Sequence, residues 1–505
     1  MTKGVIATPH RLAGEAGAQV LRDGGNAIDA AIAANAVLCV VYPHMTSVGG
    51  DLMAIIWPAG ASAPVGLIGA GRSGELATID AVRSRGHETM PERGPLSVTV
   101  PGTVDAWGRL IERYGTLGMA PVLEPAEALA RDGFIITERL SDFLKQAAEL
   151  LGRERAAQEL YPPMEAGMRL RNPDLASVLS DVGRNGINDF YRGTIAAAIA
   201  EAIRRRDGFV TARDLATHRS QWVDPVAVMY RGLTVYELPP PTQGLTALAI
   251  LARLGRLDRH TLEPGLDFVR AFKTIRDACY PLRDRYITDP EFSPAPLGPF
   301  LDPMHSTAGS GQHKPEDGHD GGDTIYLCCA DEHGNLVSLI QSVAYGFGSG
   351  IVAEGTGMLL QNRGCYFKLD PAHVNKLEPK KRTMHTLIPA MAAREGRPWA
   401  IFGSMGGDGQ PQLQTQVLIN LVDHRMEPAE AVARPRVRVQ ADGEKISVEA
   451  DYPGAGELGR SGLNIELMPP KHHTLGHAHA ILVDGPGSWR AGADPRSDGS
   501  VERST

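Results

Sequence analysis

The chain has little with which to grip a nucleic acid or a membrane. Lys and Arg total 51 against 59 Asp and Glu in 505 residues, a formal charge of −8. No basic excess exists to neutralise phosphates or anionic lipid, which argues against nucleic acid and membrane as partners. No apolar run reaches spanning length: residues 27–42 include Asp29 and Asn35 and fall short of the roughly 20 apolar residues that cross a bilayer. The opening MTKGVIATPH has no apolar stretch of the kind a secretory signal carries, which predicts a cytoplasmic protein. Cysteine is sparse. Cys39, Cys279, Cys328, Cys329 and Cys365 form no C-x-x-C pair, and this predicts reduced, core-filling thiols rather than disulfides or a zinc ribbon. A P-loop, an H-E-x-x-H and a G-x-S-x-G are also missing, since Ser404 sits in FGSMG; the reaction classes tied to those motifs lose weight. No internal repeat is visible.

What is present is the composition of an ordinary globular chain, 43% hydrophobic and 22% charged with 57 Gly and 36 Pro. Helical periods dominate from His10 to about residue 285. The Leu12, Ala16, Val20 face ends at Gly24-Gly25-Asn26, residues 104–114 follow Pro101-Gly102, residues 126–132 stop at Gly133, and Leu266, Val269, Phe272, Ile275 and Cys279 mark a later face. Short strands are predicted at 52–57, 227–230 and 233–238. From about residue 290 to 323 periodicity stops, and HSTAGSGQHKPEDGHDGGD reads as a flexible linker. The pattern then changes. Residues 324–330 and 336–342 are apolar strands joined by a turn at 331–335, with further strands at 399–402 and 480–483 and a helix at 412–421. Together these predict a layered α+β fold whose central sheet is completed late in the chain.

Two histidine-rich stretches invite a metal reading: His313, Glu316, Asp317, His319 and Asp320, and His472, His473, His477 and His479. Neither has convincing ligand spacing. The first fits a solvated linker, and His477 and His479 alternate with alanines as one face of a strand. The boundary Gly321-Gly322-Asp323-Thr324 is more informative. A threonine hydroxyl needs a neighbouring base to become a nucleophile, and a threonine made first in its chain carries one in its own α-amine. That amine titrates at about 7.7 to 8.0 when unperturbed, so part of it is neutral near physiological pH. The two glycines allow the turn that brings the hydroxyl onto the Asp323 carbonyl. Taken alone, the junction also fits a plain loop-to-strand turn.

The blocks GDTIYLCCADEHGNLVSLIQS, FGSGIVAEGTGMLLQNRG, KRTMHTLIPAM and FGSMGGDGQPQ resemble, in order and spacing, the γ-glutamyltranspeptidase family of N-terminal-nucleophile hydrolases. ATPHRLAGEAGAQVLRDGGNAIDAAIAANAVLCVVYPHMTSVGGD looks like that family's opening, and VPGTVDAW, ERYGT and ALARDGF resemble its next block, so the likeness runs nearly end to end. The resemblance implies an αββα four-layer sandwich. It also implies a proenzyme cut between Asp323 and Thr324 into a large subunit, 1–323, and a small subunit, 324–505, forming one intertwined domain. Thr324 would be the nucleophile, Ser342 the second hydroxyl that orients it, and Gly406 and Gly407 the N–H donors to the oxyanion; one such donor is worth about 2.7 to 4 kcal/mol of barrier.

The acyl pocket departs from the family. Its carboxylate-holding arginine falls on Ala70 in an ungapped count back from Thr78, with Arg72 two residues away in GAGRSG. The Asn, Gln and Asp that hold the amino group fall on Ala344, Arg363 and Tyr366, and the serine pair falls on His385 and Thr386. Arg363 beside Tyr366 suits an acyl group bearing a carboxylate better than one bearing an ammonium. The stretch between Tyr366 and Arg382 is shorter than in members with a lid, which favours hydrolysis over transfer. The chain is therefore expected to be an autoprocessing threonine amidohydrolase, similar to the branch of oxamate amidohydrolase and the cephalosporin (glutaryl) acylases. Its substrate would be a small-molecule amide, γ-glutamyl-like or a dicarboxylic monoamide such as oxamate. No metal or organic cofactor is called for. True γ-glutamyl transfer or glutathione hydrolysis, glutaryl acylase action, and an uncleaved binding homologue remain as alternatives, and a homodimer of processed protomers stays open.

Overall fold

Two capped helices follow the first strand, Gly4–Thr8. His10 accepts from Leu12 N at the start of Arg11–Arg22, and Asn26 and Asp29 form a reciprocal capping box at the start of Ala27–Val41. Every residue of Ala27–Val41 is buried. It is a central core helix rather than an amphipathic one, which is why its sequence shows no polar face. Its one buried amide, Asn35, is satisfied on both sides, donating to Gln341 Oε1 at 2.7 Å and accepting from Trp107 Nε1 at 2.8 Å.

The computed structural model describes residues 3–304 and 323–504. The cluster His313, Glu316, Asp317, His319 and Asp320 and the glycines Gly321 and Gly322 lie outside the described residues. The α+β expectation holds, with two large antiparallel sheets. The seven-stranded sheet runs Ser500–Ser504, Gly4–Thr8, Asp323–Asp331, Leu336–Ala344, Asp51–Trp57, Val65–Gly69 and Gln221–Val223. The six-stranded sheet runs Ser488–Ala493, Ala478–Gly485, Arg397–Ser404, Ala390–Arg394, Leu233–Glu237 and Val226–Tyr230. Segments from both sides of Thr324 share each sheet, interleaved in the seven-stranded one and side by side in the six-stranded one.

Side-chain alternation assigns the faces. Ile325, Leu327 and Cys329 join Leu52, Ala54 and Ile56 in a cluster with the helices Arg11–Arg22, Ala27–Val41, Thr103–Tyr114 and Met119–Asp132. Tyr326, Cys328 and Ala330 instead meet Met391, Ile401 and Ile481 of the other sheet. Val235, Ala392, Ala400, Phe402 and Ala480 pack outward against the helices Gly244–Leu254, Leu266–Tyr286 and Gln410–Val422. The predicted strands and helices fall at these places, and all five cysteines are buried and unpaired. The expected linker starts too early in the sequence reading. Gly298–Leu301 forms a helical turn and Phe300 is fully buried against the outer helices of the six-stranded sheet, anchoring a segment too rich in Pro and Gly to show a period.

Histidine is unusually internal. His44, His477 and His479 are 0% exposed, and no ring nitrogen of the three has a hydrogen-bond partner. Burial lowers His10, His218, His385 and His479 to about 4, and His44 and His477 well below their usual value. Such groups stay neutral when folded and take a proton when unfolded. Their contribution is intact above about pH 6.5 and is lost as pH falls towards 4, at about 1.4 kcal/mol per pH unit for each. We expect the midpoint of thermal unfolding to fall steeply between pH 7 and pH 5; a flat profile across that window would refute the neutral assignment.

Candidate active site

Thr324 is the second residue of the strand Asp323–Asp331 and is 1% exposed. It shares the phase of Tyr326 and Cys328, so its side chain faces the space between the sheets. On the neighbouring strand Leu336–Ala344, Ile340 and Ser338 face the same way, Ser338 sharing a 2.8 Å hydrogen bond with Tyr326, and Ser342 continues that phase.

The pairing of these strands breaks at the site. Ile325 pairs with Gln341, but Asp323 pairs with Ala344, so Ser342 and Val343 together oppose Thr324 in a bulge. Ser342 Oγ donates to the Asp323 carbonyl at 2.7 Å and accepts from Ala344 N at 2.7 Å. Ala344 has φ 83, a costly conformation for a residue with a side chain. It is fixed from several directions. Gln341 donates to Ser47 O and Thr103 Oγ1, Tyr345 N donates to Asn362 Oδ1 at 3.1 Å, and Arg93 Nη1 donates to the carbonyls of Gly346 and Gly348, each at 2.6 Å. Burial raises the Asp323 carboxyl to about 6, against the pull of the Arg93 charge and the Gly346 N–H.

The opposite wall comes from the other sheet. Gly403 packs on Tyr326, where a Cβ would lie 2.4 Å from the ring. The chain then turns through Gly406 at φ 136, a conformation that only glycine adopts at little cost, and Gly407 at φ 53, in the left-handed region that favours glycine, and enters the helix Gln410–Val422. Gln243, fully buried, holds this turn in place: its Nε2 donates to Gly407 O at 3.0 Å and to Thr386 O at 3.1 Å.

Thr386 leads to the third wall. Arg363 is 1% exposed; its Nη1 donates to Thr386 Oγ1 at 2.9 Å, while Nε and Nη2 are buried with no hydrogen-bond partner. The guanidinium lies 5.2 Å from the Tyr366 ring, which stacks parallel to Tyr345 at 5.9 Å. A buried cation with two unmet donors is suited to an incoming anion. His385 serves differently. Its Nδ1 accepts from Leu387 N, which puts the proton on Nε2, the donor to Asp51 Oδ2 at 3.1 Å. Burial and the Arg363 charge lower His385 to about 4 despite Asp51. Burial pushes the Asp51 carboxyl up, but the hydrogen bonds from His385 and Gly71 and the Arg363 charge outweigh it, and the net shift is downward. Arg72 stands apart. It is committed to Asp289 at 2.8 Å, Glu291 at 2.5 Å and the carbonyl of Lys380, and lines a separate cleft of about 480 Å³ with His218, Phe292 and Arg382.

Thr324, Ser342 and the Asp323 carbonyl thus meet at one bulge, and Arg363, Thr386 and Tyr366 meet at one wall, joined by Gln243 to Gly407. Sequence reading missed Gln243, Asp51 and Arg93. Asp51 stood inside a block already singled out, whereas Gln243 and Arg93 carry no local signal at all.

The model of the family "Gamma-glutamyltranspeptidase" matches residues 13–504, and the chain belongs to that family. It is an N-terminal-nucleophile amidohydrolase of the proenzyme type. It is 37% identical over 522 residues to the glutathione hydrolase-like YwrD proenzyme of Bacillus subtilis, covering 99% of this chain and 98% of that relative. It is 34% identical over 526 residues to the oxamate amidohydrolase proenzyme of Klebsiella pneumoniae, again covering 99% and 98%. The crystal structure of a cephalosporin acylase from Bacillus halodurans superposes with a TM-score of 0.90 at 34% identity, covering 99% of this chain and 96% of that one. No helix among the described residues is long and apolar enough to cross a membrane.

Replacing Gln243 with Met keeps its volume but takes the side-chain donor from two buried carbonyls, of which Gly407 O keeps the Gln410 N–H and Thr386 O is left unmet, at about 1 to 3 kcal/mol for the unmet one. Urea unfolding should register a loss of at least about 1 kcal/mol; no measurable loss would remove Gln243 as the tie between the two walls.

Proposed function

We propose that this chain is an autoprocessing threonine amidohydrolase that cuts itself between Asp323 and Thr324 and then hydrolyses a small acyl amide carrying a carboxylate. The observation that carries this reading is the 2.7 Å hydrogen bond from Ser342 Oγ to the Asp323 carbonyl, at the bulge opposite Thr324. In the uncut chain that bond draws charge from the carbonyl to be attacked. Thr324 Oγ adds to the Asp323 carbonyl carbon and the Asp323–Thr324 C–N bond breaks, which leaves an ester on Oγ and a free α-amine. Water then hydrolyses the ester, giving the Asp323 α-carboxylate and a free Thr324 hydroxyl.

The resulting pieces of 323 and 182 residues would stay associated, because strands from both are hydrogen-bonded into each of the two large sheets, which we take as the inner layers of an αββα sandwich. In the processed enzyme the Thr324 amine takes the proton from Oγ as it adds to the substrate amide. Ser342 orients the hydroxyl, the N–H groups of Gly406 and Gly407 stabilise the oxyanion, and water releases the acid. The unmet donors of Arg363, beside Thr386 and Tyr366, receive the acyl carboxylate, and His385 holds Asp51 behind them. The relatives' names span glutathione hydrolase-like, oxamate amidohydrolase and acylase proteins; a dicarboxylic monoamide such as oxamate or a γ-glutamyl-like amide fits this pocket. Arg72, with its acids already in place, would border the site rather than enter it.

Intact mass under denaturing conditions should show two chains, the smaller beginning Thr324-Ile325-Tyr326. Thr324→Ala should remain one chain, and Ser342→Ala should process at least about tenfold more slowly, as loss of one oxyanion contact implies. A wild-type chain that stays whole after prolonged incubation would sink the reading. For the processed enzyme, Arg363→Met should raise KM for oxamate or γ-glutamyl-p-nitroanilide by at least about tenfold, given the strength of charge-assisted hydrogen bonds; an unchanged KM would remove Arg363 from the pocket.

A further inference from the structure

Asp323 carries a second nucleophile at the bond to be cut. It and Thr324 are consecutive residues of the strand Asp323–Asp331, and consecutive side chains of a strand leave on opposite faces. Thr324 points between the sheets in the phase of Tyr326, so the Asp323 carboxyl takes the helix side with Ile325 and Leu327. The contacts agree. Gly346 lies so close that a Cβ there would sit 2.7 Å from Asp323 Oδ2, and only glycine at that position leaves the carboxyl its place. The Gly346 N–H and the Arg93 charge act on the carboxyl, which in turn acts on the Tyr42 hydroxyl at the end of the core helix Ala27–Val41.

The two side chains therefore flank the scissile carbonyl carbon, one on each face of its peptide, while Ser342 Oγ holds the carbonyl oxygen at 2.7 Å. An Asp323 Oδ is separated from that carbon only by Cγ, Cβ and Cα, so its attack closes a five-membered ring. A well-oriented internal nucleophile has an effective molarity of about 10⁵ M or more, far above the concentration of water. Thr324 is only 1% exposed, which leaves bulk water little approach to an ester formed there. With its pKa raised to about 6, the carboxyl is ionised at neutral pH and more basic than an ordinary carboxylate.

We propose that the Asp323 side chain, rather than a water molecule, expels Thr324 Oγ from the ester formed in self-cleavage, through a cyclic anhydride. This rests on the self-cleavage reading above and places its water one step later. After Thr324 Oγ has added and the C–N bond has broken, the hydroxyl proton sits on the freed amine, which takes up another to become an ammonium. A lone pair of Asp323 Oδ then forms the bond to the ester carbonyl carbon. The C–Oγ bond breaks with its electron pair to Thr324 Oγ, which takes a proton from its own ammonium. One water opens the anhydride to the α- and β-carboxylates with release of two protons. Thr324 is left with a free hydroxyl and a neutral amine, the state that amide hydrolysis needs.

The slow-cutting Ser342→Ala chain, purified whole, is left to cut in water enriched in ¹⁸O, and tandem mass spectrometry locates the label in the C-terminal Asp323 of the large piece. Water opens an anhydride at either carbonyl, so label is expected on the β-carboxylate as well as the α-carboxylate; label on the α-carboxylate alone would overturn the proposal. Asp323→Ala, with Ser342 in place, should cut at least about tenfold more slowly, as loss of a well-oriented internal nucleophile implies. Neutral hydroxylamine, which attacks the waiting ester directly, should restore cutting of that variant, a recovery that also shows it folds and completes the first step. Asp323→Ala cutting at the wild-type rate would overturn the proposal, and so would a slow variant that hydroxylamine does not restore. A wild-type chain that stays whole both with and without hydroxylamine would remove the self-cleavage reading itself, and this inference with it.

Discussion

The site depends on one irregularity in a regular sheet. With unbroken pairing, Thr324 would face a single partner across the strands, and every backbone group there would be engaged in the ladder. The extra residue in the strand Leu336–Ala344 instead sets Ser342 and Val343 against Thr324 and brings the Ser342 hydroxyl onto the Asp323 carbonyl at 2.7 Å. A bulge also bends and twists its strand, and the cost appears at Ala344, a non-glycine at φ 83. Gln341, Asn362 and Arg93 hold that conformation by hydrogen bonds to main chain on both sides of it. The surrounding core over-determines a local geometry that the strand would not adopt alone.

The same logic extends outward by polar side chains buried in otherwise apolar surroundings. Asn35 on the central helix reaches Gln341 just before the bulge, and Gln243 on the far side reaches both Gly407 and Thr386. Asp51 gathers Gly71 N, Gln361 and His385. Each is fully satisfied or nearly so, and each joins segments distant in sequence. Apolar packing fixes the two sheets and their helices, but it is tolerant of small shifts. These hydrogen bonds supply the directional constraint that sets the Ser342 hydroxyl on the Asp323 carbonyl and ties the Gly406-Gly407 turn to Thr386.

Much of this was legible in order along the chain, and the reason is physical. Strands such as 324–330 and 336–342 announce themselves by β-branched and apolar content bounded by turn residues. The Gly406-Gly407 pair was marked by the resemblance of its block, and the φ of 136 at Gly406 gives the physical reason for glycine there. Thr324 stood at a Gly-Gly-Asp approach to a strand start, which alone fits a plain turn, and the resemblance of the blocks around it singled it out. What was not legible is long-range. Gln243 acts on residues 143 and 164 positions away, and nothing in PPPTQG hints at either. Arg72 was weighed as a carboxylate holder from its neighbourhood in sequence, yet Asp289 and Glu291, far along the chain, already occupy it. Phe300 anchors a stretch whose Pro and Gly content masks its order.

Charge bookkeeping separates the two kinds of buried ion in this molecule. Arg436 and Arg496 are as deeply buried as Arg363, yet they meet Asp494 and Glu449 at hydrogen-bond distance and also donate to main-chain carbonyls. Such closed networks serve the fold, because every charge there is answered within the chain. Arg363 is answered only in part, its Nε and Nη2 having no hydrogen-bond partner. A fold shaped by stability alone would pair such donors or replace the side chain with an apolar one, since an unanswered buried charge is among the costliest features a core can carry. The contrast between the closed network around Asp494 and the open guanidinium edge of Arg363 is the physical basis on which the proposed function puts the acyl carboxylate at Arg363 rather than in the cleft beside Arg72, whose guanidinium is already held by Asp289 and Glu291.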